Sequence, residues 1–156
     1  VIGIANSWNT LVPGHFNLNM VSEHVKKGIH RAGGVAAEFG VIASCDGVCE
    51  GYRGMHFILP QREVIADSIE LVAEAHHLDG LVLIASCDKI VPGMLMAAAR
   101  LDIPAIMIVR GKQVPEQTLE LAKENEILVL RSSNIMFVTC GLLYKAGLEG
   151  SPWKIR

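Results

Sequence analysis

The stretch DGLVLIASCDKIVPGMLMAAARL, Asp79 to Leu101, decides the fold. Leu81 to Ala85 is a short, wholly apolar run, as expected of a strand buried on both faces. Ser86-Cys87-Asp88-Lys89 breaks it with four polar or titratable residues. A helix then reaches Leu101, with Pro92 expected at its first position, where a missing backbone N–H costs nothing. Strand, polar turn and helix together make one βα unit.

The same rhythm extends in both directions. Val1 to Ala5 predicts a strand ending in Asn6-Ser7-Trp8-Asn9, and Met20, Val21, Val25 and Ile29 fall at helical spacing before a stop at Gly33-Gly34. Phe39 to Ala43 predicts a second strand, followed by a glycine-rich loop from Cys45 to Pro60. A long helix is expected from about Arg62 to His77, with Val64, Ile65, Ile69, Val72 and Ala73 on its apolar face. Downstream, Ala105 to Val109 and Ile127 to Leu130 predict two more strands. Pro115 opens one helix, and Asn134 to Ala146 forms another that stops at Gly147. Alternating strands and helices imply parallel pairing through right-handed crossovers. The expected fold is a single α/β domain over residues 1–156, a three-layer sandwich whose open parallel sheet has about five strands with helices on both faces.

Composition narrows the function classes. Hydrophobic residues make up 51% of the chain and charged residues 19%, enough for a sizeable core in one domain. The net charge of -2 is scattered, without the basic stripe of a nucleic-acid groove. Apolar runs fall far short of the roughly 20 residues that span a bilayer. Val1 opens directly into a strand pattern rather than a signal peptide, and Cys45, Cys49, Cys87 and Cys140 do not resemble a disulfide framework. A cytoplasmic setting, with cysteines as thiols or metal ligands, is the expectation. Cys140 lies on an apolar helical face and reads as a buried thiol. His15 reads either as a residue at the site rim or, as is more common in loops, as a solvated histidine, and Trp153, Lys154 and Arg156 read as a frayed tail.

Open parallel sheets bind ligands beyond the carboxyl ends of their strands. The second and third expected strands end there in Ser44-Cys45-Asp46-Gly47 and Ser86-Cys87-Asp88-Lys89, which would set two carboxylates and two thiols on one rim. Carboxylates suit magnesium, whereas thiolates suit iron–sulfur clusters or zinc. A structural alternative stands beside this one: Asp-Gly is an ordinary turn, and Asp88 would cap the helix near Pro92.

The segments GIANSWNTLVPGH (Gly3 to His15), CDGVCEGYRGMHFILPQREVIADSIE (Cys45 to Glu70) and DGLVLIASCDKIVPGMLMAAARLDIPAIMI (Asp79 to Ile108) closely resemble the dihydroxy-acid dehydratase family, which includes phosphogluconate and sugar-acid dehydratases. The resemblance covers about residues 1–110. It implies a hydro-lyase that removes water from a 2,3-dihydroxy acid to give a 2-oxo acid, as in branched-chain amino acid biosynthesis. It further implies magnesium held by Asp46, Asp88 and Lys89, the last matching a lysine that becomes carbamylated and serves catalysis. Cys87 would be an iron–sulfur ligand, Asn6 and Ser7 would meet the small polyhydroxy-acid substrate, and a homodimer is expected. No nucleic-acid or membrane partner is implied.

Gly14 stands where many members carry a cluster cysteine, and Cys49 matches no ligand. The family's third cluster cysteine and its barrel-like second domain with a serine base have no counterpart within these residues. Residues 111–150 are similar instead to the ending of a DRTGG domain, with Leu143 to Gly147 as its close, and 151–156 form a tail. That ending supports two alternatives: a non-catalytic regulatory or small-ligand-binding module, and a chimera retaining only the scaffold.

Overall fold

The computed structural model describes residues 1–101, 105–108, 116–124 and 128–131. The helix expected over Asn134 to Ala146, Cys140, most of the DRTGG-like ending and the tail lie outside the described residues.

Strand β1 (Ile2–Asn6) is central. It pairs in parallel with β2 (Ala36–Gly40) on one side and β3 (Gly80–Ile84) on the other, in the order β2-β1-β3. Helix α1 (Leu18–Arg31) joins β1 to β2. A one-turn helix α2 (Asp46–Cys49), a 3-10 segment (Arg53–Phe57) and helix α3 (Gln61–Ala75) lead from β2 to β3. Helix α4 (Ile90–Arg100) follows β3. Beyond it, β4 (Ala105–Ile108) pairs in parallel with β5 (Leu128–Arg131), with α5 (Glu116–Glu124) between them in sequence. The strands therefore form an open parallel sheet of three and a separate ladder of two among the described residues.

Strand alternation sorts the core into two clusters. Ile4 and Ile84 meet Leu18, Val21, Val25 and Ile29 of α1. Ala5, Leu81 and Leu83 point the other way, toward Ile65, Ala66 and Ile69 of α3 and Ile90, Met94 and Ala97 of α4. Ile4, Ile65, Ile69, Ile84, Ile90 and Met94 are fully buried. Each such side chain contributes about 1.5–3 kcal/mol relative to exposure. Gly93 lets the two helices approach, because a Cβ there would lie 3.1 Å from the Arg62 carbonyl and from Ile65. No described helix is long and apolar enough to cross a membrane.

Several boundaries move from expectation. The second strand ends its pairing at Gly40, because its partner β1 turns into a loop after Asn6; Val41 makes one last bond to the Asn6 carbonyl. The strand is also not wholly apolar. Ala37, Glu38 and Gly40 are exposed, as befits a strand at the edge of the described sheet. Helix α4 starts two residues before Pro92, which still falls within the first turn, where backbone N–H groups lack helical partners. Val64 lies half exposed rather than on the buried face of α3, whose inward positions are Gln61, Ile65, Ala66, Ile69 and Ala73.

Candidate metal centre

Because β1 separates β2 from β3, the loops that follow the outer strands start two strand spacings apart, about 9.6 Å. They meet by leaning over the end of β1. The Sγ atoms of Cys45 and Cys87 lie 4.0 Å apart, and Asp46 Oδ1 lies 3.8 Å from Cys87 Sγ. Donor atoms of Cys45, Asp46 and Cys87 all fall within 4.8 Å of one another, a grouping able to hold a metal ion.

On the other side of the same carboxylate, Asp46 Oδ2 lies 3.8 Å from Lys89 Nζ, which is also paired with Asp88. One lysine thus joins the two aspartates predicted from the sequence. Asp88 does not cap α4, whose N-cap is Lys89 and carries no side-chain cap bond. Pairing with Lys89 holds the Asp88 carboxyl below its ordinary range, and pairing with Asp88 raises Lys89 above its own. Arg62, in the first turn of α3, opposes the second effect with a further positive charge. Partial burial raises the Cys87 thiol, and the neighbouring Cys45 and Asp46 add to the rise.

The loop after β3 is held from below. His15 is fully buried; its Nδ1 lies 2.6 Å from the Ser7 carbonyl and its Nε2 lies 2.8 Å from the Ser86 carbonyl. Carbonyls only accept, so the imidazole acts here as a donor toward the backbone that follows β1 and β3. Ser7, also fully buried, donates its hydroxyl to the Ile84 carbonyl at 2.9 Å. Cys87 itself has φ +76, a left-handed conformation uncommon outside glycine and concentrated at functional sites. The loop after β2 is held differently: Gln61 accepts from the Ser44 N–H at 2.9 Å and donates to its carbonyl at 3.2 Å. Asn9 adds a bond to the Ala43 carbonyl at 3.1 Å.

The structure therefore gathers Asp46, Cys87, Asp88 and Lys89. It places Asn6 and Ser7 beneath the same rim, with their polar atoms engaged inside the protein: the Asn6 amide donates to Glu38 at 2.7 Å, and its Oδ1 accepts from the Trp8 N–H. Cys45 joins the centre as a thiol partner, whereas Cys49 sits apart, near Gly54 and Tyr52. Gly14 also borders the site, since a Cβ there would lie 3.4 Å from Ser86 Oγ. His15 is buried rather than a solvated loop residue. The segment GIANSWNTLVPGH contains it, but its burial was not visible there, because its two partners are backbone carbonyls just after β1 and β3. Gln61 went unnoticed although its spacing to Ile65 and Ile69 puts it on the buried helix face.

The chain is similar to known proteins over most of its length. The dihydroxy-acid dehydratase of Methanoregula boonei is 59% identical over 114 residues, covering 73% of this chain and 21% of the relative. That of Ignicoccus hospitalis is 56% identical over 115 residues, covering 74% and 21%. That of Archaeoglobus fulgidus is 57% identical over 110 residues, covering 70% and 20%. The chain spans about a fifth of the length of these curated relatives. Similarity to the dihydroxy-acid/6-phosphogluconate dehydratase N-terminal family runs over residues 1–137, past Arg110 where the resemblance was expected to break. On that match, the chain belongs to the dihydroxy-acid/6-phosphogluconate dehydratase N-terminal family.

Proposed function

We propose that this chain carries the metal-binding strand ends of a hydro-lyase that converts a 2,3-dihydroxy acid into a 2-oxo acid and water. The observation that carries the proposal is one carboxylate, Asp46, turned at once toward a thiol pair and toward the Lys89–Asp88 pair. The donor sets suit the two groups implied by the family resemblance. Two carboxylates already sharing a cation suit magnesium, and adjacent thiols suit iron. Asp46, Asp88 and Lys89 would hold magnesium, and Cys87 would bind an iron–sulfur cluster. When bound, these groups supply Lewis acids for the substrate's carboxylate and 2-hydroxyl and for the departing 3-hydroxyl.

The chain's own residues prepare the site. Lys89 offsets one of the two aspartate charges, and addition of its neutral amine to carbon dioxide, with loss of a proton, would exchange that positive charge for an anionic oxygen ligand. Carbamylation needs the neutral amine, which the pairing with Asp88 opposes, so a cation that takes over Asp88 favours the modification. Ser7 and Asn6 order the rim under the substrate, and Arg62 adds positive charge suited to a carboxylate. A five-stranded three-layer sandwich in one domain, a homodimer, a cytoplasmic role in branched-chain amino acid biosynthesis and a DRTGG-like ending belong to the same proposal. The binding-module alternative gains no support from the relatives.

The test is metal analysis of anaerobically purified chain, with iron, sulfide and magnesium measured together. We expect iron and sulfide with charge-transfer absorption above ~400 nm, weakened in Cys87→Ser. Magnesium content should fall in Asp46→Asn and Asp88→Asn. A colourless, iron-free protein that forms no 2-oxo acid from 2,3-dihydroxy acids would overturn the proposal.

A further inference from the structure

We infer that Cys45 is a metal ligand in its own right, forming with Cys87 and Asp46 a three-donor site for one iron- or zinc-class cation. The inference rests on the proposed metal-binding function and adds a residue to it. Two thiolates bound at about 2.3 Å to one tetrahedral metal stand about 3.8 Å apart. The Cys45–Cys87 separation is 4.0 Å, close to that span. A disulfide would need about 2.05 Å, so the observed spacing matches a shared cation better than a covalent bond. Asp46 Oδ1, at 3.8 Å from Cys87 Sγ, completes a triangle of two soft donors and one hard donor. Such a mixed set suits zinc or iron better than magnesium alone.

The local structure leaves these groups available. Cys45 is the N-cap of α2 but makes no side-chain cap bond, so its thiol is not spent on the helix end. All three residues are partly buried, shielded yet reachable. Cys87 reaches the triangle from a left-handed backbone conformation that an L-residue adopts only when its surroundings impose it. Because Asp46 turns its other oxygen to Lys89, this site and the magnesium site would share one carboxylate. Binding releases the two thiol protons as the thiolates form.

The probe is Co²⁺ alone, added anaerobically to the metal-free chain. Thiolate–cobalt charge-transfer absorption is expected, falling by about half in Cys45→Ser and again in Cys87→Ser, and unchanged in Cys49→Ser. Affinity should drop on the order of tenfold or more in either of the first two variants. In the unmutated chain, Co²⁺ should protect Cys45 and Cys87 from alkylation by iodoacetamide and leave Cys49 reactive, a readout independent of whether any variant folds. Loss of absorption in Cys87→Ser alone, with Cys45 alkylated equally fast with and without metal, overturns the role of Cys45 and leaves the proposed function standing. Absence of absorption and protection in every protein, together with no iron on purification, overturns both.

Discussion

The two loops that build the candidate metal centre are supported by opposite means. The loop after β3, residues 86–89, rests on a fully buried imidazole that ties Ser86 to the end of β1, and its Cys87 is held in a left-handed conformation. The loop after β2 is held by Gln61, which pairs with Ser44 much as a neighbouring strand would, and by the Asn9 amide on the Ala43 carbonyl. The first is braced from within the sheet; the second is clipped to a helix.

The largest effect should come from removing the brace. His15→Ala leaves a cavity and removes the buried donor facing the Ser7 and Ser86 carbonyls, and should cost about 3 kcal/mol in urea unfolding. Metal held through Cys87 should loosen with it. Gln61→Ala should cost less, about 1–2 kcal/mol, and should weaken cation binding at Asp46 more than it lowers the unfolding midpoint. Equal losses from the two substitutions would end the distinction between the loops.

Cys87 sharpens it further. Glycine is at ease at φ +76, so Cys87→Gly should be more stable than Cys87→Ala by about 1 kcal/mol, read from paired thermal melts. No difference would mean that the backbone there is unstrained.

The smallest effect lies at the β2 edge. Partial burial, the largest single influence, pushes the Glu38 carboxyl up, but hydrogen bonds from Asn6 and Lys26 outweigh it and set the group below its ordinary value of 4.5. A carboxyl lowered on folding stabilises the protein above its unfolded value and loses that contribution as pH falls through the folded one. Stability should therefore decline from about pH 4.5 downward, and Glu38→Gln should flatten that part of the profile while leaving the His15 brace intact. A variant profile identical to the parent's would rule out this role for Glu38.

Much of the fold was legible in the chain. Leu81 to Ala85 announced β3 within one residue, and the apolar spacing of Ile65, Ile69 and Ala73 marked the face of α3 that meets the sheet. The end of β2 was not legible. It depends on where β1 stops pairing, which is a property of the partner strand. The Cys45-Asp46 and Cys87-Asp88 pairs were legible as polar breaks after apolar runs, whereas the grouping of Asp46, Cys87, Asp88 and Lys89 rested on the family resemblance. Cys45 was legible as one of two rim thiols but not as facing Cys87, and the burial of His15 and Gln61 stayed hidden because their partners are backbone atoms distant in sequence.

The chain by itself determined the βα rhythm, the parallel pairing and the chemical character of the rim, since periodicity and residue type act locally along the backbone. Only the tertiary structure decided that Cys45 faces Cys87, that Asp46 divides its oxygens between thiol and lysine, and that a buried histidine underlies them. Those relations arise where the loops after β2 and β3 meet beyond the end of β1, and a distance between two loops is set by the strand between them.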